Sequence, residues 1–369
     1  MKRIRSISAI INLIAALLLI ASYVSTIVNP QQHVIFAFLG LSFPVLLIIN
    51  MGFLFYWIIR RKILLLISLI TIIFGAKIIS QFFQITFKKE DKKNAIHVMT
   101  YNVRLFDLYN WTSNKETRNQ IFKQIENQQP DILCFQEFYQ DDDSDYFITR
   151  DTLVTFLKAK NYFEGYTHKV RGGQEFGVAT FSRYPILNAY VGRFENEINN
   201  NYVVTDLLID EDTIRVINTH IGSIGFQEGD YKYIGGKGMT RYYPWQKKPD
   251  SVYQQRILDR LFVAFRRRPS QILKIEEEIK QSPHPVILCG DFNDMPVSFS
   301  YGKVTRLLTD SFTEKGNGLG GTYIGYVPGL RIDYIFHSDE FKAVDYKTHQ
   351  EKLSDHKAIS AFLVKRTPE

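Results

Sequence analysis

The pattern of hydrophobic residues divides the chain near Lys88. Before this point most residues are Ile, Leu, Phe, Val or Ala, and the apolar residues form three long runs, at residues 7–28, 34–59 and 63–83. Runs of about 20 apolar residues can cross a bilayer, where a helix satisfies its own backbone hydrogen bonds. We therefore expect residues 1–87 to be a membrane anchor with three transmembrane helices, the second interrupted by Pro44.

A cleavable signal peptide is the alternative interpretation of the first run. Such a peptide ends in a small-residue cleavage site and is not followed by further spans. The chain has no such site after residue 28 and has two more runs. Lys77 lies near the end of the third run, where its ammonium group can reach the membrane interface.

Basic residues beside the runs predict the orientation of the anchor. Three of the residues 2–5 and all of the residues 60–62 are basic, whereas the loop at 29–32 is uncharged. Cytoplasmic loops carry an excess of Lys and Arg. We therefore expect the N-terminus and the second loop to lie in the cytoplasm of a plasma or inner membrane, with the remaining domain periplasmic or extracellular. The basic cluster at 88–93 argues for the opposite orientation.

Beyond a short linker at 88–95, the chain alternates short apolar runs with amphipathic segments. Helical periods lie at 116–128 and 252–280, where Pro269 either starts a second segment or kinks the first. Strand-like runs lie at 95–102, 131–137, 176–181, 202–208, 213–220, 286–291, 331–336 and 358–364. This alternation predicts an α/β domain over residues 96–369.

Composition adds little about partners. The net charge is +7, but part of the positive charge flanks the apolar runs and is weak evidence for nucleic acid. The 28 Phe and 21 Tyr suit a β-rich interior. Cys134 and Cys289 are buried free thiols or, if their strands are neighbours with facing side chains, a disulfide. No Cys/His spacing resembles a zinc site.

Polar side chains close the predicted strands. They are Asn102, Glu137, His220, Asp291, Asn293, Asp333, Asp355 and His356. Carboxylates and carboxamides are the ligands that Mg²⁺ prefers. Histidines can donate to phosphate oxygens or exchange protons near neutral pH. Together these groups predict the metal-assisted hydrolysis of a phosphate ester.

Each of these residues also has an ordinary structural interpretation. Asp and Asn commonly occupy turns and helix N-caps. Glu137 and Asp355 could be solvated loop residues, and His220 could be a hydrogen-bonded core histidine. Turn chemistry alone would rarely place so many acids, amides and histidines at strand ends, so we favour one shared site.

Seven stretches carry a resemblance to a known family, in the order 99–103, 135–137, 181–186, 218–220, 290–293, 331–335 and 354–356. The chain resembles a membrane-anchored, bacterial-type member of the endonuclease/exonuclease/phosphatase superfamily, which includes DNase I-like nucleases, neutral sphingomyelinases and inositol polyphosphate 5-phosphatases. The resemblance covers residues 96–364 and none of the apolar runs. It implies an α/β fold, a four-layer α/β sandwich of two packed β-sheets flanked by helices.

The resemblance also implies a metal site and a water-activating acid. Glu137, with Asn102 and Asp355 close by, matches the Mg²⁺ site, where Mn²⁺ is an alternative. Asp291 matches the acid that orients or deprotonates the attacking water. Asn293 matches the partner of that acid in holding the scissile phosphate.

Two histidines match further roles. His356 matches a residue that contacts the phosphoryl oxygens, and Asp333 matches the carboxylate that orients this histidine and raises its pKa. His220 matches a second histidine that contacts the phosphate or the leaving group. The resemblance therefore implies a complete set of hydrolytic residues.

Some residues depart from the family pattern or match nothing in it. Arg104 stands where the exonuclease III-like branch has an acid, which argues against close kinship with abasic-site repair enzymes. Residues 222–250, rich in Gly, Tyr and Lys, match no substrate-defining loop. The arginines at 266–268 are interpreted as a solvated helix face, and Asp294 as a turn or cap residue.

We therefore expect a membrane-anchored, Mg²⁺-dependent phosphodiesterase or phosphatase. Its substrate would be nucleic acid or a phospholipid headgroup, its spans would contact the lipid bilayer, and no obligate protein partner is evident. The alternative is a catalytically silent, membrane-tethered binding module with the same fold. Such a module would have lost a ligand or a proton-transfer residue, and none is missing from the sequence.

Overall fold

The computed structural model describes residues 2–86, 90–169, 173–195, 197–225, 250–325 and 329–366, with the backbone alone at 2–6 and 250–254. The predicted segment 222–250 lies largely outside these residues. Helices α1 to α10 span Lys2–Tyr23, Ile35–Leu41, Phe43–Ile59, Leu65–Phe74, Ala76–Ser80, Thr117–Gln128, Thr149–Phe156, Asp250–Lys280, Phe299–Val304 and Ser311–Lys315. Short 3₁₀ helices lie at Val24–Thr26 and Arg104–Asp107.

The prediction of three transmembrane helices is wrong in number. Among the described residues, Ile7–Thr26 is the one helix that is long and apolar enough to cross a membrane, with a mean hydropathy of 2.4. Helices α2 and α3 form a pair bent by 61°, which could count as one broken span. The break precedes Pro44, which lies in the first turn of α3, where its missing N–H costs no helical hydrogen bond. Helix α4 has only 10 residues and ends at Gly75.

Helices α1, α3 and α4 pack into a bundle with a polar interior and an apolar exterior. Asn12, Asn50 and Ser68 are fully buried. Asn12 donates to Ser68 at 2.7 Å and accepts from the indole N–H of Trp57 at 2.8 Å, and Asn50 donates to the carbonyl of Ala15 at 3.0 Å. Exposed apolar side chains cover the outside, including Leu17, Ile48 and Ile70, each more than half exposed.

The rest of the chain contains two six-stranded mixed sheets packed face to face. Strands β1 to β12 span Ile96–Asn102, Ile132–Asp141, Asn161–Lys169, Gln174–Ser182, Ile186–Arg193, Asn201–Ile209, Asp212–His220, Val286–Asp291, Thr309–Asp310, Asp333–His337, Phe341–Thr348 and Ile359–Lys365. The strand order is β11-β12-β1-β2-β4-β3 in the first sheet and β5-β6-β7-β8-β10-β9 in the second. The predicted strands are confirmed.

Apolar side chains from both sheets fill the space between them. Val98 and Cys134 of the first sheet pack in one cluster with Val216 and Cys289 of the second. Both cysteines are buried and free, so they do not form a disulfide. Helix α6 packs on the outer face of the first sheet and α8 on that of the second. This arrangement of two packed sheets with flanking helices agrees with the expected α/β sandwich.

Buried amides connect the two sheets below one end of the sandwich. Gln136 of β2 donates to the carbonyl oxygen of the Asn218 side chain on β7 at 2.7 Å. The Asn218 amide donates in turn to the backbone carbonyls of Phe135 and Ala179, at 3.1 and 3.0 Å. Asn218 is fully buried. These hydrogen bonds hold the ends of β2, β4 and β7 in register across the interface.

Helix α8 runs without interruption through Pro269, so no second segment starts there. The interpretation of residues 266–268 as a solvated face is wrong for Arg268, which is 2% exposed. Arg268 donates to the carbonyl of Gly222 at 2.9 Å and pairs with Asp294 at 3.4 Å. Asp294 is therefore the ion-pair partner of a buried arginine rather than a simple turn residue, because this helix packs directly over the loop that follows β8.

The helical bundle docks on loops of the two-sheet domain through one of its ends. The Ser25 hydroxyl donates to the carbonyl of Val297 at 2.6 Å, and Arg331 donates to the carbonyl of Gln81 at 2.7 Å. Phe38 makes an edge contact with Phe265 of α8 at 5.1 Å between ring centroids. A shared apolar cluster includes Leu19, Tyr23, Phe43, Met295, Val297 and Ile332.

Candidate active site

The sheet topology brings several strand ends to one place. Strands β7 and β8 are parallel, with His220 opposite Asp291, and β10 runs antiparallel to β8, with Asp333 opposite Asp291. Strand β1 is parallel to β2 and ends at Asn102. Because parallel strands end at the same edge of a sheet, acids, amides and histidines that are distant in sequence meet there.

The local backbone at residues 137, 290 and 293 determines where the side chains of the site lie. Glu137 has φ of +49° at an irregularity in the pairing of β2 with β4, and such bulges redirect a side chain. Asn293 has φ of +50°, a conformation that Asn tolerates better than most residues. Gly290 lies so close to β7 that a Cβ would be 2.0 Å from the carbonyl oxygen of Thr219. A side chain at 290 would therefore separate the two strands that carry His220 and Asp291.

Asp291 is at the centre of the site and is 1% exposed. Its carboxylate accepts from the Asn102 amide at 3.0 Å and from the backbone N–H and side-chain amide of Asn293 at 2.8 and 3.1 Å. Burial raises the pKa of Asp291 to about 6, although the charges of His356 and His220 oppose this shift. The amides hold the carboxylate in place, and its pKa suits a group that accepts a proton near neutral pH.

His356 and Asp333 form a buried pair. The Nδ1 atom of His356 is 2.9 Å from an oxygen of Asp333, and its Nε2 atom faces Asp291 at 3.7 Å. Burial alone would lower the pKa of His356, but the charges of Asp333 and Asp291 outweigh it and raise the pKa well above its usual value. His356 is therefore an imidazolium that can donate to an anionic group.

His220 has the opposite protonation state. Its Nε2 atom is 3.6 Å from Asp291 and 3.8 Å from Glu137, and the Asn293 amide nitrogen is 3.4 Å away. Burial lowers the pKa of His220 because it outweighs the nearby charge of Asp291. Two histidines with opposite shifts border one carboxylate, an arrangement that is typical of acid and base roles.

Glu137 and Asp355 provide the acidic side of the site. Glu137 accepts from the Asn102 amide at 3.2 Å, and Asp355 pairs with Arg104 at 3.6 Å. Burial raises the pKa of Glu137, and the charge of Asp355 raises it further. Neighbouring carboxylates of this kind favour binding of a cation, and Mg²⁺ is commonly held by one or two carboxylates plus water.

Asp291, Asp333 and His356 form another group of potential metal ligands, with ligand atoms within 4.8 Å of one another. This group fits a metal less well, because His356 donates to Asp333 and its raised pKa keeps it protonated. A protonated imidazole has no lone pair for a metal. The residues present therefore fit a divalent metal at Glu137 and Asp355. Asn102 directs its NH₂ group at the carboxylates, and its carbonyl oxygen accepts the N–H of Arg104 at 3.0 Å.

The structure thus brings all eight predicted residues into one site, while their individual roles remain predictions. Sequence reasoning missed Ser354, whose hydroxyl donates to the carbonyl of Asn102 at 2.8 Å. It also missed the position of Arg104, whose guanidinium lies 4.2 Å from the centre of the Trp111 ring. The serine lies in the family-matching stretch 354–356, which was the available signal for it.

A cavity of about 1000 Å³ opens beside the site and is lined in part by Glu137 and His220. Its other walls come from Leu105 and Tyr109, from β3 and β4, and from one face of α8. A cavity of this size can enclose most of a small ligand. The candidate active site therefore has room for more than a phosphate group.

Comparison with protein families gives two matches. The model described as "Endonuclease/Exonuclease/phosphatase family" matches residues 99–356. The model described as "Domain of unknown function (DUF8431)" matches residues 5–82. No curated protein matches the chain.

Solved structures with a similar fold include enzymes from bacteria and animals. An endonuclease/exonuclease/phosphatase from Bacteroides vulgatus has 15% identity and a TM-score of 0.52, covering 74% of this chain and 99% of that one. The human Nocturnin catalytic domain with bound sulfate anion has 18% identity and a TM-score of 0.51, covering 74% and 94%. D. rerio TDP2 complexed with single strand DNA product has 15% identity and a TM-score of 0.51, covering 73% and 99%. At these identities the likeness is one of fold.

Proposed function

The chain belongs to the endonuclease/exonuclease/phosphatase family, and on this basis we propose that it is a membrane-anchored, divalent-metal-dependent phosphoric ester hydrolase. The observation that carries the proposal is the buried carboxylate of Asp291 between two histidines of opposite pKa shift. A silent binding module would have no need to bury these charged groups together, since buried charge is costly.

Each residue of the site has its own role in the proposed hydrolysis. Asp291 accepts a proton from the attacking water, while Asn102 and Asn293 hold its carboxylate in place. His356, oriented by Asp333, donates to a phosphoryl oxygen and offsets the charge that develops there. His220 is neutral and donates one hydrogen bond to the phosphate or to the leaving oxygen.

Glu137 and Asp355 are the residues that would hold the divalent metal. A bound Mg²⁺ or Mn²⁺ supplies Lewis-acid stabilisation of charge on the phosphoryl oxygens. Asn102 then serves either as a third ligand through its carbonyl oxygen or as the donor that orients Glu137. In both assignments the metal-binding residues Glu137 and Asp355 are distinct from the His356–Asp333 pair.

The membrane anchor is supported by the inside-out composition of the bundle. Its buried positions carry Asn and Ser, with hydrogen-bonding needs met between helices, whereas its surface exposes Ile and Leu. Helices associate in lipid through small and polar residues of this kind. In water so large an apolar surface would be unfavourable.

The orientation is supported by the position of the basic clusters. Helices α1 and α3 are antiparallel, since Asn12 meets Trp57 and Ala15 meets Asn50. The start of α1 at Lys2 and the basic residues 60–62 after α3 therefore lie at the bundle end away from the docked domain. The positive-inside bias puts that end in the cytoplasm and the catalytic domain outside it. Lys92, from the opposing cluster, pairs with Asp345 of β11.

We infer the substrate class from the chemistry of the candidate active site, and not from the ligand of any one structurally similar protein. The Nocturnin structure holds sulfate and the TDP2 structure holds a DNA product. Both ligands contain a tetrahedral anion, which a His356 imidazolium and a divalent metal would accommodate. We therefore propose a phosphate ester, with nucleic acid and phospholipid headgroup as the two source classes.

The proposal is tested with the full-length protein in detergent or nanodiscs. Hydrolysis of bis(4-nitrophenyl) phosphate is measured with Mg²⁺, with Mn²⁺ and with EDTA. We expect metal-dependent turnover that falls at least 100-fold in Asp291→Asn and in His356→Gln, since each loses a proton-transfer or charge-stabilising group. Asp339→Asn, an exposed acid outside the site, is the matched control. Equal turnover by wild type and Asp291→Asn would overturn the assignment.

A further inference from the structure

Helix α8 exposes a group of large apolar side chains. Leu258 and Phe262 are four residues apart and lie on one face of the helix, and they are 49% and 39% exposed. Val263, beside Phe262, is 60% exposed. We call these three residues the α8 apolar band. Single exposed apolar residues are ordinary on a protein surface, but contiguous ones mark a contact with a partner or a membrane.

The α8 apolar band lies within one helical turn of the place where α8 meets the helical bundle. Phe265 of α8 makes the edge contact with Phe38 of α2. Phe265 follows Phe262 by three residues and Leu258 by seven, and both spacings keep side chains on the same side of a helix. Leu258 and Phe262 therefore lie on the side of α8 that faces the bundle.

The end of the bundle beside α8 is apolar as well. The loop between α1 and α2 contacts α8, since the Gln31 side chain donates to the carbonyl of Arg266 at 3.1 Å. Ile27, just before this loop, is 63% exposed, and Ile35, the first residue of α2, is 59% exposed. The apolar exterior of the bundle thus extends to the end at which α8 is docked, next to the α8 apolar band.

Exposed basic residues border the band on both sides. Arg266 follows it, with its guanidinium carbon 5.4 Å from the centre of the Phe262 ring, and Arg256 precedes it. Asp259 is the one exposed acid among the described side chains of α8 up to Arg266. Helices that lie on a bilayer combine Phe and Leu on one face with Lys or Arg beside them, and the basic groups are attracted to anionic lipids.

We propose that the N-terminal half of α8 lies on the adjoining surface of the bilayer, with the α8 apolar band in the headgroup region. This inference rests on the membrane anchor of the proposed function, because the bundle brings the bilayer to this end of the domain. The hydrogen bonds from Ser25 to Val297 and from Arg331 to Gln81 hold the bundle against the domain. They therefore also hold α8 beside the membrane surface.

The membrane contact brings one wall of the active-site cavity next to the lipid headgroups. Val263 of the band also lines this cavity, together with Arg256 and Ala264 of the same helix. Glu137 and His220 of the candidate active site line it as well. A bilayer that covers the band therefore reaches the edge of the cavity, so a headgroup phosphate can enter the cavity from the membrane surface.

Fluorescence quenching by lipids tests the contact in the full-length protein. Leu258→Cys and Phe262→Cys are labelled separately with the fluorophore NBD, since the native Cys134 and Cys289 are buried. Each labelled protein is placed in nanodiscs of phosphatidylcholine and phosphatidylglycerol, with or without a nitroxide on the phosphatidylcholine headgroup. We expect the nitroxide to remove about half of the fluorescence at each position, because an interfacial helix lies within about 10 Å of the headgroups. Thermal unfolding midpoints check that both variants are folded.

Leu187→Cys is the matched control. Leu187 is 56% exposed and lies near the start of β5, which pairs with the end of β6 away from the active site. Its label should lose little fluorescence, and equal quenching at positions 187, 258 and 262 would overturn the contact. Labels at 258 and 262 that are shielded both from the nitroxide and from iodide in the water would instead assign the band to a second copy of the chain or to the segment 226–249, which lies outside the described residues. That result would also overturn the contact.

A label in the bundle separates this inference from the proposed function. Leu17 is 57% exposed on α1, so a label on Leu17→Cys should be quenched by a nitroxide on the lipid acyl chain. Quenching at position 17 without quenching at 258 and 262 would leave the membrane anchor intact and overturn the α8 contact alone. An unquenched label at 17 would remove the anchor and, with it, the basis of the inference. The measurement needs no turnover, so a failure of the proposed hydrolase activity does not change its result.

Discussion

Asp291 shows how environment assigns roles to similar side chains. The two histidines beside it are both buried, yet burial lowers the pKa of His220 while the acid partner Asp333 raises that of His356. The difference comes mainly from the charges of Asp333 and Asp291, which outweigh burial at His356, whereas burial outweighs the charge of Asp291 at His220. A substitution of Asp333 should therefore change the pKa of His356 more than it changes the pKa of Asp291.

Arg104 provides a first prediction at the residue scale. Its guanidinium is 3.6 Å from Asp355 and competes with a metal for that carboxylate. In Arg104→Gln we expect the Mg²⁺ concentration for half-maximal activity to fall about fivefold, since a partly exposed ion pair contributes about 1 kcal/mol. A Mg²⁺ titration of activity measures this. Arg104→Lys keeps the charge and should behave like wild type, and a rise in the Mg²⁺ requirement of Arg104→Gln would contradict the assignment of Asp355.

His97 provides a second prediction, which concerns stability. It is 6% exposed and stacks on Phe362 with centroids 4.1 Å apart. Burial lowers the pKa of His97 from 6.5 to about 4. As the pH falls from 6.5 to 4 the unfolded chain binds a proton that the folded chain does not, so stability is lost over this range, by about 3 kcal/mol at most.

The comparison is between wild type and His97→Phe, which keeps the stacking. Thermal unfolding midpoints at pH 7 and pH 4.5 should differ less in the variant than in wild type. His168→Phe, at an exposed position, serves as the control and should retain the wild-type pH dependence. An identical pH dependence in His97→Phe would show that His97 titrates normally.

The site residues that the sequence alone could identify are those at the termini of apolar strands. Asp291, the last residue of β8, and Asp333, the first residue of β10, follow from this rule, because an acid at the terminus of a buried strand is uncommon unless it has a partner or a role. Arg268 and Arg104 could not be found in this way. Arg268 looks like part of a charged helix face, and only the packing of α8 over the loop after β8 shows that it is buried.

At the scale of elements, the amide contacts between the sheets explain why the site is held together. Asn218 connects β7 to β2 and β4 through its side chain. Removing it would leave several buried partners without hydrogen bonds. The strand ends that carry His220 and Glu137 would then lose their common support.

Asn218→Ala is therefore expected to lower the free energy of unfolding by about 3 kcal/mol, since each buried group left unsatisfied costs 1–3 kcal/mol. Denaturant or thermal unfolding of the full-length protein measures this. Asn188→Ala changes an exposed asparagine on β5 that bonds to Asp206 at 3.2 Å, and it should cost much less. Similar losses in both variants would mean that the inter-sheet amides contribute little.

The strands that sequence reasoning missed share one position. Strands β3, β5, β9 and β11 are the edge strands of the two sheets. Edge strands are partly exposed, as the mixed burial of β3 and β5 shows, and β9 has only two residues. They therefore lack the continuous apolar run by which a buried central strand is identified.

At the scale of the whole molecule, the sequence predicted too many membrane spans. The length of an apolar run does not show whether the run forms one continuous helix. The second run breaks between Leu41 and Phe43, and the third ends as a helix at Phe74. The docking of the bundle on the catalytic domain had no sequence signal. It depends on close backbone approach at Gly40 and Gly302, which a sequence pattern does not show.

Gly302 provides a prediction for this interface. A Cβ at this position would be 2.1 Å from the carbonyl oxygen of Thr26. Gly302→Ala should therefore separate α9 from the bundle and destabilise the protein by about 1–3 kcal/mol, the usual cost of overpacking. Thermal unfolding and protease cleavage near residue 90 measure the effect. Gly52→Ala meets nothing within 4 Å and is the control. Unchanged protease resistance in Gly302→Ala would show that the docking is dispensable.

The docked bundle has a kinetic consequence. A domain on a flexible linker sweeps a volume set by the length of that linker. Here Ser25 and Gln81, on two separate segments of the bundle, are both hydrogen-bonded to the catalytic domain, so the domain cannot pivot freely. In a bilayer the active site would stay at a constant height, and lipid-borne substrates would reach it by lateral diffusion. Turnover of such substrates would then follow their mole fraction in the surface and be insensitive to the total amount of vesicles.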